Sequence, residues 1–412
     1  MHAGALLLTD NTKSARVRTV AGRIAAVLLL AGLATVAGQK SMAMVLAERA
    51  PDRALRFDAT NAAAHVQKAM DLVSGEDSSP PLDRVAYHSQ QAILTDATQP
   101  SAAVGIGLVQ EQQRKQKAAT AAFAYAQALS RRNFPAQLWL IEDAVRRDDI
   151  PAALRHYDIA MRTSRASKTL LFPVLTNAIA DPAIVPPLAK IIAANPVWQE
   201  QFVQHAAQNA GDLDALASLL GAIRQNGGQV SDQAISTALS RFMNDEDVSG
   251  AWKLYASMNQ QDARKTIRGG RFVQQPDYPS PFDWRLSDDG EAVAEPRQIG
   301  AGTALYFAAP MDWGGTVASQ TLHLPPGQHS LTGMAYGILL TDGQRPFFTL
   351  RCLETANTQR LELPRSDEQG KPFRWQFTIP SNCPFQSLQL ELAPANTPEG
   401  VEGYVSNLSV TE

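Results

Sequence analysis

The pattern of apolar positions changes character twice along the chain. Residues 24–38 (IAAVLLLAGLATVAG) form an apolar run without a charge, closed by Lys40. With 19–22 they reach the roughly 20 residues that a helix needs to cross hydrocarbon. Arg23 stands near the edge of the run, where a long basic side chain can reach the interface. From 41 to about 265 apolar residues recur at helical spacing, Ala, Leu and Gln dominate, and breaks fall at DAT, NP and GD. After Arg268-Gly269-Gly270 the period shortens to two. Alternating runs at 303–308, 317–324, 329–336, 347–353, 374–379, 387–392 and 403–410 read as strands. Pro325-Pro326-Gly327, Asp342-Gly343 and the 396–398 segment supply the turns between them. The expected organisation is therefore multidomain α and β. It comprises a basic segment at 1–23, a membrane helix at 24–40, helical repeats at 41–268, a Pro-rich linker at 269–281 and an antiparallel β-sandwich at 282–412.

Within the helical region a small–aromatic–small trio repeats. Ala119, Phe123 and Ala126 fall at i, i+4 and i+7, and Ala153, Tyr157 and Ala160 follow 34 residues later. Val85, Ser89 and Ala92 precede the first trio by 34. Ala215, Leu219 and Ala222 are echoed by Ala251, Tyr255 and Met258 at an interval of 36. Small residues on one face let a second helix approach, and the aromatic fills the gap between pairs. This period and trio resemble the tetratricopeptide repeat, in which Ile106-Gly107 would take the Leu-Gly position and Leu140 the Leu position of a first helix. The resemblance implies a solenoid whose concave surface takes a protein partner. Pro100, Pro135 and Pro196 stand near the starts of first helices, where proline is tolerated. Phe57-Asp58-Ala59-Thr60 and Thr95-Asp96-Ala97-Thr98 repeat before comparable Ala-rich segments. Between Ala153 and Ala215 the register degrades and a divergent helix pair is expected, with Ile184, Leu188 and Ile191 off the period. Trp139, Trp198 and Trp252 either line a groove or fill the core between repeats, and helical spacing favours the core.

In the β region, Gly302-Thr-Ala-Leu-Tyr-Phe307, Ala318-Ser-Gln-Thr-Leu-His-Leu-Pro-Pro-Gly327, Ser330-Leu-Thr-Gly333 and Gly403-Tyr-Val-Ser-Asn-Leu-Ser-Val410 resemble the jelly-roll modules of carbohydrate-binding proteins. That resemblance implies two facing sheets with aromatics offered to a sugar ring from a concave face or a loop rim. Trp313, flanked by Asp312 and Gly314-Gly315 in a loop, and Tyr278 beside the domain are the candidate ligand contacts, because flat aromatic faces with a polar handle stack on sugars. Phe282, Trp284 and Trp375, the last alternating with Phe373 and Phe377, read as core.

Composition narrows the chemistry. The 412 residues hold 37 Lys+Arg against 40 Asp+Glu, a net charge of -3, which argues against a nucleic-acid binder. The first 23 residues carry Lys13, Arg16, Arg18 and Arg23 against Asp10. A cleaved signal peptide and an uncleaved anchor both fit. The lack of an A-x-A site and the helical pattern continuing from Ser41 favour the anchor. The short basic flank then stays inside, and the rest of the chain translocates. In an exported chain the 2 cysteines, Cys352 and Cys383, are expected to form a disulfide, with two buried free thiols as the alternative. None of the 7 histidines forms an H-x-x-x-H pair, and His323 and His329, which bracket a turn, read as solvated. Neither a phosphate-binding glycine motif nor a G-x-S-x-G elbow is present. The acids Asp283, Asp288, Asp289, Glu291, Glu295 and Asp312 read as a solvated loop, with a structural calcium or a hydrolase carboxylate pair as the sharper readings. No metal or cofactor is expected.

The combination resembles accessory proteins of bacterial polysaccharide synthesis and export. It implies a non-catalytic scaffold, single-pass in the inner membrane with its bulk in the periplasm. The solenoid would take a protein partner, and the sandwich polysaccharide or a second protein. The alternative is a glycan lyase or hydrolase with its site on the sandwich.

Overall fold

A computed structural model describes residues 8–75, 80–259, 262–287 and 290–412. It forms two compact units, Met1–Thr169 and Leu170–Glu412.

In the first unit, α1 (Leu8–Leu46) contains the apolar stretch Val20–Leu46, with a mean hydropathy of 2.1, long and apolar enough to cross a membrane. Its side chains from Val20 to Val36 are exposed, as they would be against lipid. The same helix then turns protein-like. Ala43 near its end and Ala47 just beyond it are buried with Ala54 of α2 (Pro51–Phe57) and Ala64 of α3 (Ala62–Val73). The apolar span and the first helical packing layer thus share one continuous helix.

Next come α4 (Leu82–Thr95), α5 (Pro100–Gln112), α6 (Gln116–Leu129), α7 (Phe134–Arg146) and α8 (Ile150–Thr163). The starts of α4, α6 and α8 are spaced by 34 residues, and so are those of α5 and α7. Ala119, Phe123 and Ala126 are fully buried. The Phe123 ring stacks on Trp139 at 4.2 Å and lies over Gly107, where an added Cβ would come within 2.7 Å of the ring. Glycine at 107 is the condition for that approach. Ala153, Tyr157 and Ala160 make the equivalent buried stripe on α8. The Asp-Ala-Thr echo is one repeated turn. Asp58 Oδ1 accepts from Thr60 N and Oγ1 at 3.0 and 2.7 Å, and Asp96 Oδ1 from Thr98 N and Oγ1 at 2.9 and 2.6 Å. Asn133 and Asp149 cap α7 and α8 by accepting from Ala136 and Ala152 amides.

α9 (Arg165–Ala178) runs from the first unit into the second. The second unit continues with α10 (Val185–Ala193), α11 (Gln199–Asn209), α12 (Leu213–Gln225), α13 (Asp232–Asn244) and α14 (Val248–Met258). Three helices, α9 to α11, occupy the interval where the sequence suggests one divergent pair. On α12 the buried stripe is Leu216, Leu219, Leu220 and Ile223, while Ala215 and Ala222 are only half-buried. Without an aromatic at its centre, this helix turns its broader leucine stripe inward. Ala251, Tyr255 and Met258 are buried on α14.

The β part holds ten strands among the described residues: β1 (Arg285–Leu286), β2 (Val293–Ile299), β3 (Gly302–Ala309), β4 (Gly315–Leu322), β5 (Gly327–Tyr336), β6 (Phe347–Cys352), β7 (Thr358–Glu362), β8 (Lys371–Ile379), β9 (Gln386–Leu392) and β10 (Val401–Thr411). They form two antiparallel sheets, β1-β4-β9-β6-β7 and β2-β3-β10-β5-β8. Their inner faces share one core that includes Leu305, Phe307, Phe348, Leu390 and Trp375. β1, β2 and β7 escape the sequence pattern because they are short or polar. β2 carries Pro296 and four exposed polar or proline positions, which an edge strand tolerates. Glu295, expected in an acidic loop, therefore stands on a strand. Asp288 and Asp289 lie outside the described residues. Cys352 and Cys383 are disulfide-bonded, tying the end of β6 to the turn after β8.

Candidate functional site

The outer faces of the two sheets differ. On the second sheet, Tyr306 of β3 pairs directly with Tyr404 of β10, and Tyr404 with Tyr336 of β5. Directly paired residues of antiparallel strands point to the same face. The flanking Leu305, Phe307, Val405 and Ala335 point into the core, so the three tyrosines point outward. They form a row across three strands, spanning about 10 Å at the usual strand spacing. All three are half-buried, and the Tyr306 and Tyr404 rings lie 5.0 Å apart, tilted by 50°.

Charged groups close one end of the row. Glu295 of β2 pairs with Tyr306, and Arg297 stands on the same face two residues on. The Arg297 guanidinium lies 3.6 Å from the centre of the Tyr306 ring and makes a 2.6 Å ion pair with Glu295. The Tyr306 hydroxyl donates to Glu402 at 3.5 Å. Burial, then the Glu402 charge, raises the Tyr306 pKa, so the phenol stays a neutral donor at physiological pH. At the other end, Tyr336 packs against Gly370, which adopts a left-handed φ of 83°. A shallow trough of ≈ 480 Å³ continues along the same face, lined by Thr332, Met334, Arg374 and Asn407. The face thus offers flat apolar rings, phenol hydroxyls and a cation side by side. That set suits a polyhydroxylated ligand, whose ring faces are apolar and whose edges hydrogen-bond.

The residues singled out from sequence lie elsewhere. Trp313 is partly buried, packs against the sandwich core and leans over Gly315. Asp312 is exposed with φ 64°, and its amide donates to the Ala395 carbonyl at 3.1 Å. Tyr278 is exposed and borders a separate cleft formed by α13, α14 and the 262–284 segment, to which neither Trp313 nor Asp312 contributes. The structure does not bring the three together. The tyrosine row left a trace in the sequence, since each tyrosine occupies the outward phase of a strand. Only the register shows that the three are neighbours.

The two turn histidines are not both solvated. His329 is buried, with Nε2 2.8 Å from the Pro325 carbonyl and its ring stacked on Phe377. His323 stacks on Trp252 at 4.7 Å and lies tilted against Phe385 at 5.0 Å. Trp252 on α14 therefore packs against the sandwich, whereas Trp139 and Trp198 are buried among helices. Beside Trp252 sits Arg268, 4% exposed, with Trp252, Tyr255 and Phe282 rings around its guanidinium.

No family model matches the sequence, and no curated protein matches it. Solved structures resemble parts of the chain: tetratricopeptide proteins over the helical part and carbohydrate-binding modules over the β part. YrrB, a TPR protein with an unusual peptide-binding site, is 17% identical and covers 53% of this chain and 95% of its own, with a TM-score of 0.26. The CBM22-1 xylan-binding domain of Paenibacillus barcinonensis Xyn10C is 13% identical over 34% of this chain and 90% of its own, with a TM-score of 0.24. The enzymatically active domain of bacteriophage CBA120 tailspike protein 4 is 12% identical over 35% of this chain, which spans 21% of that protein, with a TM-score of 0.27.

Proposed function

We propose that the protein is a membrane-anchored, non-catalytic scaffold of the bacterial envelope, whose β-sandwich binds glycan and whose helical repeats bind a protein partner. The observation that carries this reading is the Tyr306–Tyr404–Tyr336 row, an aromatic platform on an outward sheet face. Tyrosine, with an apolar ring and a hydroxyl that stays wet, is enriched at binding surfaces. The anchor reading is supported by the continuity of α1, which runs unbroken from its apolar span to the buried Ala43. With the basic flank inside, the helical repeats and the sandwich that follow the span lie in the periplasm. A polymer bound there and a partner held on the repeats suit a role in exopolysaccharide synthesis or export.

The test is binding of the detergent-solubilised full chain to a panel of neutral and acidic polysaccharides. The expected result is binding to at least one polymer that Tyr404→Ala weakens tenfold or more and Trp313→Ala leaves within twofold. Loss through Trp313→Ala alone would move the site to the loop rim. Binding to none would remove the glycan reading.

A further inference from the structure

The chain reverses direction after α1, and an ion pair shows how far it comes back. Lys40, which closes the charge-free run, pairs with Asp58 at 3.7 Å. Lys40 stands before the end of α1 at Leu46, about 9 Å back along the axis, and α2 is long enough to return that distance. Lys40 also follows the start of the apolar stretch at Val20 by about 20 residues, or about 30 Å of helix, which is the thickness of the hydrocarbon core. The turn at Asp58 therefore lies at the level where hydrocarbon gives way to headgroups.

The later turns continue along the same edge. Short links reverse the chain after each helix, so the C-terminal ends of α2, α4, α6 and α8 share the side on which Asp58 lies. Hydrogen bonds tie neighbouring turns together. The Tyr125 hydroxyl of α6 donates to the Ala97 carbonyl at 2.8 Å, and the Thr163 hydroxyl of α8 to the Arg131 carbonyl at 3.3 Å.

Two kinds of side chain are exposed on this edge. Phe57 and Leu94 are apolar, 46% and 79% exposed. Arg56, Arg131, Arg132 and Arg165 are basic and exposed, and they make no ion pair among the described residues. The carboxylates of the same edge are engaged: Asp58 with Lys40 and Thr60, Asp96 with Thr98 and Gln99, and Asp158 with Arg162. The edge thus carries a surplus of positive charge beside two apolar side chains.

We propose that this edge of the helical repeats lies on the membrane surface, where its arginines take the phosphates of anionic lipids. The inference rests on the anchor reading, because only an uncleaved span holds the first turn at that depth. A guanidinium meets phosphate through paired, charge-assisted hydrogen bonds. Basic side chains next to a span strengthen attachment to an anionic surface additively. Phe57 and Leu94 suit the boundary between headgroups and acyl chains, where such side chains settle. The span enters the first packing layer without a break, so the repeats are held edge-down instead of swinging on a loose stalk.

The full chain reconstituted in vesicles tests this. A dye is attached through Ala97→Cys on this edge, or through Gln113→Cys in the α5–α6 turn on the opposite edge, both exposed positions. Lipids with a spin label on the headgroup quench it. In phosphatidylcholine vesicles containing one third phosphatidylglycerol, quenching at 97 is expected to exceed that at 113 at least threefold. Omitting the phosphatidylglycerol should at least halve the quenching at 97, and so should Arg56→Gln, Arg131→Gln and Arg132→Gln together. Equal quenching at the two positions, or quenching at 97 indifferent to either change, overturns the proposal. Alkaline carbonate separates this outcome from failure of the anchor reading. A chain that carbonate extracts has no span, and both readings fall. A chain that stays in the vesicles with equal quenching overturns the membrane-facing edge alone.

Discussion

Arg268 takes a full positive charge into a place where burial pulls its pKa down, and no carboxylate pairs with it among the described residues. Carbonyl oxygens and three aromatic faces stabilise it instead, the ring centres lying 5.5 to 5.8 Å from the guanidinium carbon. Its backbone also exchanges hydrogen bonds with the Gln320 side chain of β4. Arg268→Ala should cost about 3 kcal/mol or more in denaturant unfolding, since it leaves a cavity and unpaired buried carbonyls. Arg268→Lys should recover only part, because an ammonium lacks the planar fork. An unchanged midpoint for the alanine variant would show that the residue is not a clamp. Histidines set a second expectation. Burial lowers the pKa of His88, helped by the charge of His65, and it lowers those of His156 and His205. Each folded pKa lies below the ordinary 6.5, so the unfolded chain binds more protons as pH falls through 6.5. The stability they contribute is full above that pH and lost below it. The melting temperature should therefore fall between pH 7.5 and 5, and a flat profile would contradict this.

At the scale of elements, the helical layers depend on positions where a helix must come close. Gly107 meets Phe123 across α5 and α6, so Gly107→Ala should destabilise the first unit by about 1–3 kcal/mol through overpacking, read by calorimetry. The same exchange at Gly221, which has open space around it, should cost nothing and serves as the control. In the sandwich, the Cys352–Cys383 bond closes a separation of 31 residues. Chain-entropy arithmetic gives it about 3–4 kcal/mol, and reduction should lower the unfolding midpoint accordingly. β2 shows how an edge element works: its exposed Glu295 and Arg297 make it a poor strand by pattern, yet they frame the end of the tyrosine row.

At the scale of the whole molecule, the second unit joins helices to sandwich. Phe272 and Trp284 belong to the β core, Leu408 N donates to the Gly270 carbonyl, and Thr266 donates to the Val410 carbonyl. Contacts of this kind begin before residue 269, where the composition shifts. A fragment of 271–412 lacks Arg268, Trp252 and Tyr255 and uncovers Phe282. It should unfold at a lower denaturant concentration than a fragment of 165–412 that keeps α9 whole. Equal midpoints would show that the sandwich is independent of the helices.

The sequence by itself determined the local periods: an apolar span of membrane length, a 34-residue helical interval, and alternating strands after residue 270. Those follow from which side chains must leave water, and that requirement is written along the chain. It also carried the disulfide, through the two cysteines of one β region. Tertiary structure alone decided which residues meet. Tyr306, Tyr336 and Tyr404 become one surface through strand register, and Arg268 finds its rings because Trp252 and Tyr255 of α14 meet Phe282 around it. Trp313, conspicuous in a glycine-flanked loop, leans inward because the core offers its indole a place. Sequence pattern reports burial phase, whereas the neighbours across a sheet or between helices depend on pairings between segments far apart in the chain.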